Sequence, residues 1–321
     1  MDATFENIAV SSKANLEVFS ATLLDLARAD RNIIVVTSDS RGSGKLIPFG
    51  QAFPDQIVEV GIAEQNLVGV AAGLASAGKK VFAVSPACFL TARALEQIKN
   101  DVAYSNNAVK LIGISAGVSY GALGSTHHSL HDFAVLRTIN NLMVVAPADH
   151  FETEQAIRLA AETDFPVYLR FGKKNMELLS QEETTFEFGK GRTIRDGKDA
   201  VIIATGETVL PALKAAERLS VESGLEASVI SMHTIKPLDY NLLDEVAKDG
   251  KPVLTVEEHS IFGGLGEACA SYLMENNYRN KFRIIGIPDE YTVTGSQQEI
   301  FDHYGISQNG IAHAVLKLCK G

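Results

Sequence analysis

The chain has 321 residues, 46% of them hydrophobic and 21% charged, which suits two globular domains of roughly 150 residues each and excludes disordered and fibrous classes. Its 29 Lys and Arg against 39 Asp and Glu give a net charge of −10, a balance that argues against nucleic acid or an anionic membrane as the main partner. No apolar run reaches the roughly 18 residues of a membrane span, the acidic start Met1-Asp2-Ala3-Thr4-Phe5-Glu6 does not read as a signal peptide, and Cys88, Cys269 and Cys319 form no C-x-x-C pair. A cytoplasmic globular enzyme, or part of one, is the expectation.

Along the chain, short β-branched runs alternate with amphipathic stretches. The first series predicts strands over 33–37, 57–60, 80–85, 109–115, 142–146 and 166–170. Helices are predicted between them over 16–28, 63–77, 92–104 and 149–162, the last with Asp149 and Glu152 as an N-cap and its reciprocal acid. The second series predicts strands over 200–205, 226–231, 252–256 and 282–287, with helices over 209–222, 264–275 and 309–318. Continuous apolar strands alternating with helices imply an α/β fold, two α/β domains with mainly parallel sheets. The polar stretch around Gln181-Glu182-Glu183-Thr184-Thr185 places a linker over 176–198, between a first domain over 1–175 and a second over 199–321.

Three places could carry chemistry. Gly61-Ile62-Ala63-Glu64 follows the strand 57–60. Glu64 stands three residues before Leu67, on the stripe that Leu67, Val70, Ala71 and Leu74 would bury. A carboxylate there, partly desolvated at a helix N-terminus, could exchange a proton with a ring nitrogen in a dry pocket, or it could only cap the first turn. Phe89, in Ser85-Pro86-Ala87-Cys88-Phe89, lies just past the strand 80–85, at the strand end where α/β sheets bind ligands. It could stack on a flat ring or be plain core, and Cys88 has no flanking base that would make it a nucleophile.

The third place is the glycine-bearing loop Tyr120-Gly121-Ala122-Leu123-Gly124-Ser125-Thr126-His127-His128-Ser129-Leu130-His131-Asp132. His127 and His131 have the i,i+4 spacing of a metal pair, but the glycines place the helix start later, so proton transfer or oxyanion stabilisation suits a loop histidine better. Gly263-Gly264-Leu265-Gly266 lacks the G-x-G-x-x-G spacing of a dinucleotide site.

Taken in order, these features resemble the C-terminal half of a transketolase, and less closely that of deoxyxylulose-phosphate synthase. Val256-Glu257-Glu258-His259-Ser260-Ile261-Phe262-Gly263-Gly264-Leu265-Gly266 and Thr234-Ile235-Lys236-Pro237-Leu238-Asp239 extend the resemblance to the second domain. The resemblance implies thiamine diphosphate. Glu64 matches the glutamate that bonds the pyrimidine N1′ and drives its amino–imino exchange. Phe89 matches the aromatic that stacks on the pyrimidine, and Ile62 lies beside it. His127 matches the histidine that contacts substrate oxygens. Ser43 and Arg170 match acceptor-phosphate contacts. Leu123 stands where the family often has an acid that reads a donor hydroxyl, and Ser12 stands where a phosphate-binding arginine is common.

The family binds the cofactor's diphosphate and Mg²⁺ through a G-D-G…N motif in its other half, and no Gly-Asp-Gly occurs in this sequence. The resemblance therefore implies an N-terminal partner subunit carrying that motif, in an α2β2 assembly. The implied reaction is ketol transfer from a ketose phosphate, or a branched or sulfonated analogue, to an aldose. The rival readings are a 2-oxoacid dehydrogenase β-type subunit, a deoxyxylulose-phosphate-synthase-like half and a non-catalytic regulatory subunit.

Overall fold

The computed structural model describes residues 13–179 and 185–320. Ser12 and most of the polar run that marks the linker lie outside them. The apolar runs of the first series form a seven-stranded sheet in the order Thr234–Lys236, Met143–Val145, Val167–Arg170, Lys110–Ile114, Lys80–Pro86, Ile33–Thr37, Ile57–Glu59. Six strands are parallel and the edge strand Thr234–Lys236 is antiparallel. The second sheet has five strands in the order Phe282–Ile287, Val253–Ser260, Ala200–Ala204, Ala227–Ser231, Arg192–Arg195, antiparallel only at the last pairing.

Apolar side chains cover both faces of the central strands, which is why those strands read as unbroken hydrophobic runs. Leu16, Phe19 and Leu23 of the helix Asn15–Ala29 pack with Ile157 and Ala160 of the helix His150–Glu162 on one face of the first sheet. Leu67, Val68 and Ala71 of the helix Glu64–Ser76 pack on the other, in a cluster that runs on to Ile203, Ile230 and Cys269 beneath the second sheet. The two sheets therefore share a hydrophobic core. The buried stripe of Glu64–Ser76 includes Val68 and Ala72, with Val70 and Leu74 only partly covered.

Asp149 caps its helix as expected, accepting from the Glu152 N–H at 2.9 Å, but the Glu152 carboxylate reaches back to the Ala148 N–H at 2.8 Å. The structure departs from the sequence expectation in three further respects. The segment over 92–104 is not one helix: a helix over Ala87–Arg93 ends at Ala94, and a π-helical turn over Ile98–Tyr104 follows. The expected linker contains a strand, Arg192–Arg195, that belongs to the second sheet. The second half of the chain also lends Thr234–Lys236 to the first sheet, so the sheets do not divide at the linker.

Candidate active site

The loops that leave the carboxyl ends of the parallel strands are anchored by polar contacts. The Glu59 carboxylate accepts from the N–H groups of Asp39 (2.7 Å) and Gly61 (3.1 Å) and pairs with Arg41 at 3.3 Å. It thereby ties the loop after Ile33–Thr37 to the turn before Glu64. Asp39 and Ser115, both just past strand ends, adopt positive φ of 52° and 53°, backbone strain of the kind that gathers where loops are shaped for function. Ser43 sits in the first of these loops, half-buried, its hydroxyl turned to the Ser40 carbonyl at 3.2 Å.

Glu64 opens its helix but does not cap it: the N-cap residue makes no side-chain cap, and among the described residues the carboxylate accepts from Arg93. Only 4% of Glu64 is exposed, and the bond from Arg93 Nη1 to its Oε1 is 2.8 Å long. The guanidinium lies over the Phe89 ring, 4.3 Å from its centroid. Phe89 and Arg93 are four residues apart on one helix, a spacing that stacks side chains on a common face. Ile62, 72% exposed, lines an open cleft of about 720 Å³ with Glu64, Gln65, Asn66 and Arg93.

His127 faces Phe89 edge-on at 5.4 Å and Tyr120 at 5.5 Å. Its Nδ1 is engaged by the Thr126 hydroxyl at 3.0 Å, which leaves Nε2 for the cleft. Lys173 Nζ lies 3.9 Å from the Tyr120 ring. Burial lowers the Lys173 ammonium pKa, and the like charge of Lys45 lowers it further. Lys45 itself pairs with the Glu17 carboxylate at 3.8 Å.

The other two histidines of the loop have structural partners. His128 is buried between the Gly121 carbonyl (2.9 Å) and the Thr292 hydroxyl (2.6 Å), and burial lowers its pKa. His131 meets Thr91 at 3.2 Å, and the helix starts after it, at Asp132. The second domain pins the loop: Thr292 bonds Ser125 as well as His128, and the Ser260 N–H donates to the Leu130 carbonyl at 3.1 Å. Leu123 stands at the rim, more than half exposed.

Arg170 does not face this cleft. It is buried, with Nε on Asp132 at 2.8 Å and Nη2 on the carbonyls of Ser129 (3.1 Å) and Glu258 (2.7 Å). Tyr168 donates to the same Asp132 oxygen at 2.7 Å, whereas Oδ1, 3.8 Å from His259 Nε2, makes no hydrogen bond among the described residues. Burial pushes that carboxyl up, but Arg170 and His259 outweigh it, and the net pKa is lowered. The expected phosphate contact is therefore an interior tie between the domains.

The second domain's motif belongs to the same seam. Glu257 accepts from the N–H groups of Leu265 (2.7 Å) and Gly266 (2.9 Å), so the glycines serve a helix cap. A Cβ on Gly264 would lie 1.9 Å from the Glu257 carboxylate, which is why the position admits only glycine. Glu258 accepts from Val118 N and Gln297 Nε2, both at 2.8 Å, and Gln297 also donates to Glu207 at 2.8 Å. His259 stacks on Phe133 at 5.0 Å.

Arg93, Lys173 and Glu59 join the site without having been expected from the sequence. Arg93 had a signal, its i+4 spacing from Phe89. Lys173 lies far along the chain from the Tyr120 ring it meets and had none.

A buried acid, a flat aromatic face and a loop histidine thus lie in succession past the carboxyl ends of a parallel sheet, in a two-domain α/β chain. Among the described residues no three metal-ligating side chains gather. The Arg93 guanidinium, flat and donor-bearing, already makes the two contacts an aminopyrimidine would need, so the acid and the ring fit such a group.

Comparison with known proteins gives the family. The transketolase pyrimidine-binding domain matches residues 11–177, and the transketolase C-terminal domain matches residues 189–311. The chain is 48% identical over 303 residues to one subunit of the apulose-4-phosphate transketolase of Phocaeicola vulgatus, covering 94% of this chain and 96% of that protein. It is 41% identical over 305 residues to a putative transketolase C-terminal section of Methanocaldococcus jannaschii, covering 94% and 95%. A solved split-gene transketolase, described as an inactive beta4 tetramer, superposes with a TM-score of 0.85 at 35% identity, covering 97% of this chain and 99% of that one. The chain belongs to the transketolase family and corresponds to the C-terminal subunit of a split transketolase.

Proposed function

We propose that this chain is the C-terminal subunit of a split, thiamine-diphosphate-dependent transketolase, working with an N-terminal subunit that carries the diphosphate and Mg²⁺ ligands. The observation that supports the reading is the run of contacts from Glu64 through Arg93 to Phe89 and from Phe89 to His127. In the domain plan, 1–175 forms the pyrimidine-binding part and 199–321 the C-terminal part.

Thiamine diphosphate, when bound, supplies the electron sink for breaking and making the ketol carbon–carbon bond. Glu64 would hold a proton against the pyrimidine ring nitrogen, where burial keeps water from competing. Phe89 and Ile62 would offer the ring an apolar face. His127 Nε2, with Nδ1 fixed by Thr126, would bond substrate oxygens and move a proton at them. Ser43, Lys45 and Lys173 would meet an anionic end of the sugar, in place of Arg170. Leu123 cannot accept a hydrogen bond, so it would favour a donor without the hydroxyl that an acid there would read.

The test is donor choice by the assembled enzyme. Consumption of a ketose phosphate with appearance of the chain-lengthened acceptor is expected, and apulose 4-phosphate, which names the relative from Phocaeicola vulgatus, is the first donor to assay. Consumption of pyruvate with release of carbon dioxide would overturn transketolase in favour of a synthase or dehydrogenase chemistry.

A further inference from the structure

Arg93 is half-exposed, 48% of its side chain open to solvent, whereas the acid it pairs with is almost wholly buried. Its guanidinium spans both halves of the cleft at once: one nitrogen on the Glu64 carboxylate at 2.8 Å, the plane 4.3 Å from the Phe89 centroid. A buried carboxylate without a partner is costly, and a cation set over an aromatic face gains from the ring quadrupole. Arginine serves both contacts because its fork is flat, donor-rich and weakly hydrated. An aminopyrimidine that bonds Glu64 and stacks on Phe89 requires the same oxygen and the same ring face. The two occupants exclude each other.

We infer that Arg93 is an internal placeholder, which holds Glu64 and Phe89 together in the free subunit and must swing out for the cofactor's aminopyrimidine to enter. This rests on the thiamine-diphosphate reading above and adds to it a competitor within the chain. The neighbourhood permits the movement. Arg93 is the last residue of its helix and the chain bends at Ala94 before the short helical turn Leu95–Gln97, so only a half-exposed side chain has to rotate. The competitor lowers the apparent affinity by the fraction of subunits in which it occupies the cleft. It also neutralises the buried acid before the partner subunit arrives.

The test is a calorimetric titration of thiamine diphosphate with Mg²⁺ into the assembled two-subunit enzyme, for wild type, R93A and R93K, each first checked for an unchanged Tm. A placeholder predicts that R93A binds about three- to tenfold more tightly than wild type, the size of one cation–π contact plus a half-exposed ion pair. R93K, which keeps the charge but not the flat fork, should fall between them. The gain from R93A should shrink in an E64Q background, where the acid that recruits Arg93 is gone. Equal or weaker binding by R93A would overturn the inference, making Arg93 a bystander or a direct cofactor ligand. If wild type and R93A both fail to bind thiamine diphosphate at all, the functional reading itself falls, and the placeholder with it.

Discussion

Two polar regions lie within a short reach of each other, and they are built in opposite ways. In the cleft, among the described residues Glu64 has one cationic partner and His127 Nε2 makes no hydrogen bond, and Ile62, Leu123 and Arg93 stand open to solvent. In the seam between the sheets, Arg170, Asp132, Tyr168, Glu257, Glu258 and Gln297 bond one another or the backbone, most of them out of contact with water. The cleft opens to solvent, whereas most of the seam's polar atoms hold the His127 loop against the second domain; Asp132 Oδ1 and Glu207 Oε1 make no hydrogen bond among the described residues. Polar residues at the end of a strand can belong to either class, and their partners, not their type, tell which.

The comparison can be broken by substitutions on either side. E64Q removes the ionisable group from the cleft and should lower turnover of the assembled enzyme by about 10²–10⁴-fold. It leaves the packing in place, so Tm should stay near wild type; wild-type turnover would remove Glu64 from the mechanism. R170M should do the reverse. It strands the buried Asp132 carboxylate and two carbonyls, at about 3–5 kcal/mol, or a Tm lower by on the order of 10 °C by calorimetry. A stable R170M with a raised KM for the phosphorylated sugar would return Arg170 to the phosphate site.

The seam also carries a pH signature. Burial, and next the charge of Glu258, push the Glu207 carboxyl up to about 8, and burial pushes Glu257 up to about 7. In the unfolded chain both titrate near about 4.3. Between those values the folded chain keeps protons that the unfolded chain releases, so the stability these two carboxyls contribute falls as pH rises from about 5 to 8 and then levels off; burial lowers His233 to about 3 and His259 to about 4, and these act in the opposite sense below about 6.5. E207Q has no proton to lose there, so its Tm should match wild type at pH 5 and exceed it at pH 8. An identical decline in both would remove Glu207 from the effect.

Smaller effects sharpen the boundary between the regions. H128A gives up bonds to Gly121 and Thr292 and should cost about 1–2 kcal/mol in urea unfolding. H127A should leave that midpoint where it is and lower turnover instead. L123D restores an acceptor at the rim and should shift relative kcat/KM toward donors with the extra hydroxyl by about tenfold; an unchanged ratio would free Leu123 of any part in donor choice.

Much of this was legible in the sequence because it is local. The parallel strands are unbroken apolar runs, Glu64 follows a strand and opens a helix, and Phe89 follows the next strand. Arg170 misled for a physical reason: a charged residue at the end of a strand reads as facing ligand, and nothing nearby in sequence announces Asp132 as its partner. The edge strand Thr234–Lys236 is three residues long and its partner is Met143–Val145, too short and too distant for periodicity to register. The helix Gln297–Tyr304 was readable, since Ser296 and Glu299 form a capping box, yet its eight residues carry too short an apolar stripe to stand out. Its Gln297 is the bridge between Glu207 and Glu258. Lys173 meets the Tyr120 ring only through the fold.

The central claim is that the cleft is one half of an active site, completed by a subunit that brings the diphosphate and metal ligands. The direct measurement is ketol transfer as the partner subunit is titrated into a fixed amount of this chain, with thiamine diphosphate and Mg²⁺ in excess. The account predicts no transfer from this chain alone and activity that rises to saturation near one partner per chain. Full transfer by this chain without the partner would contradict it.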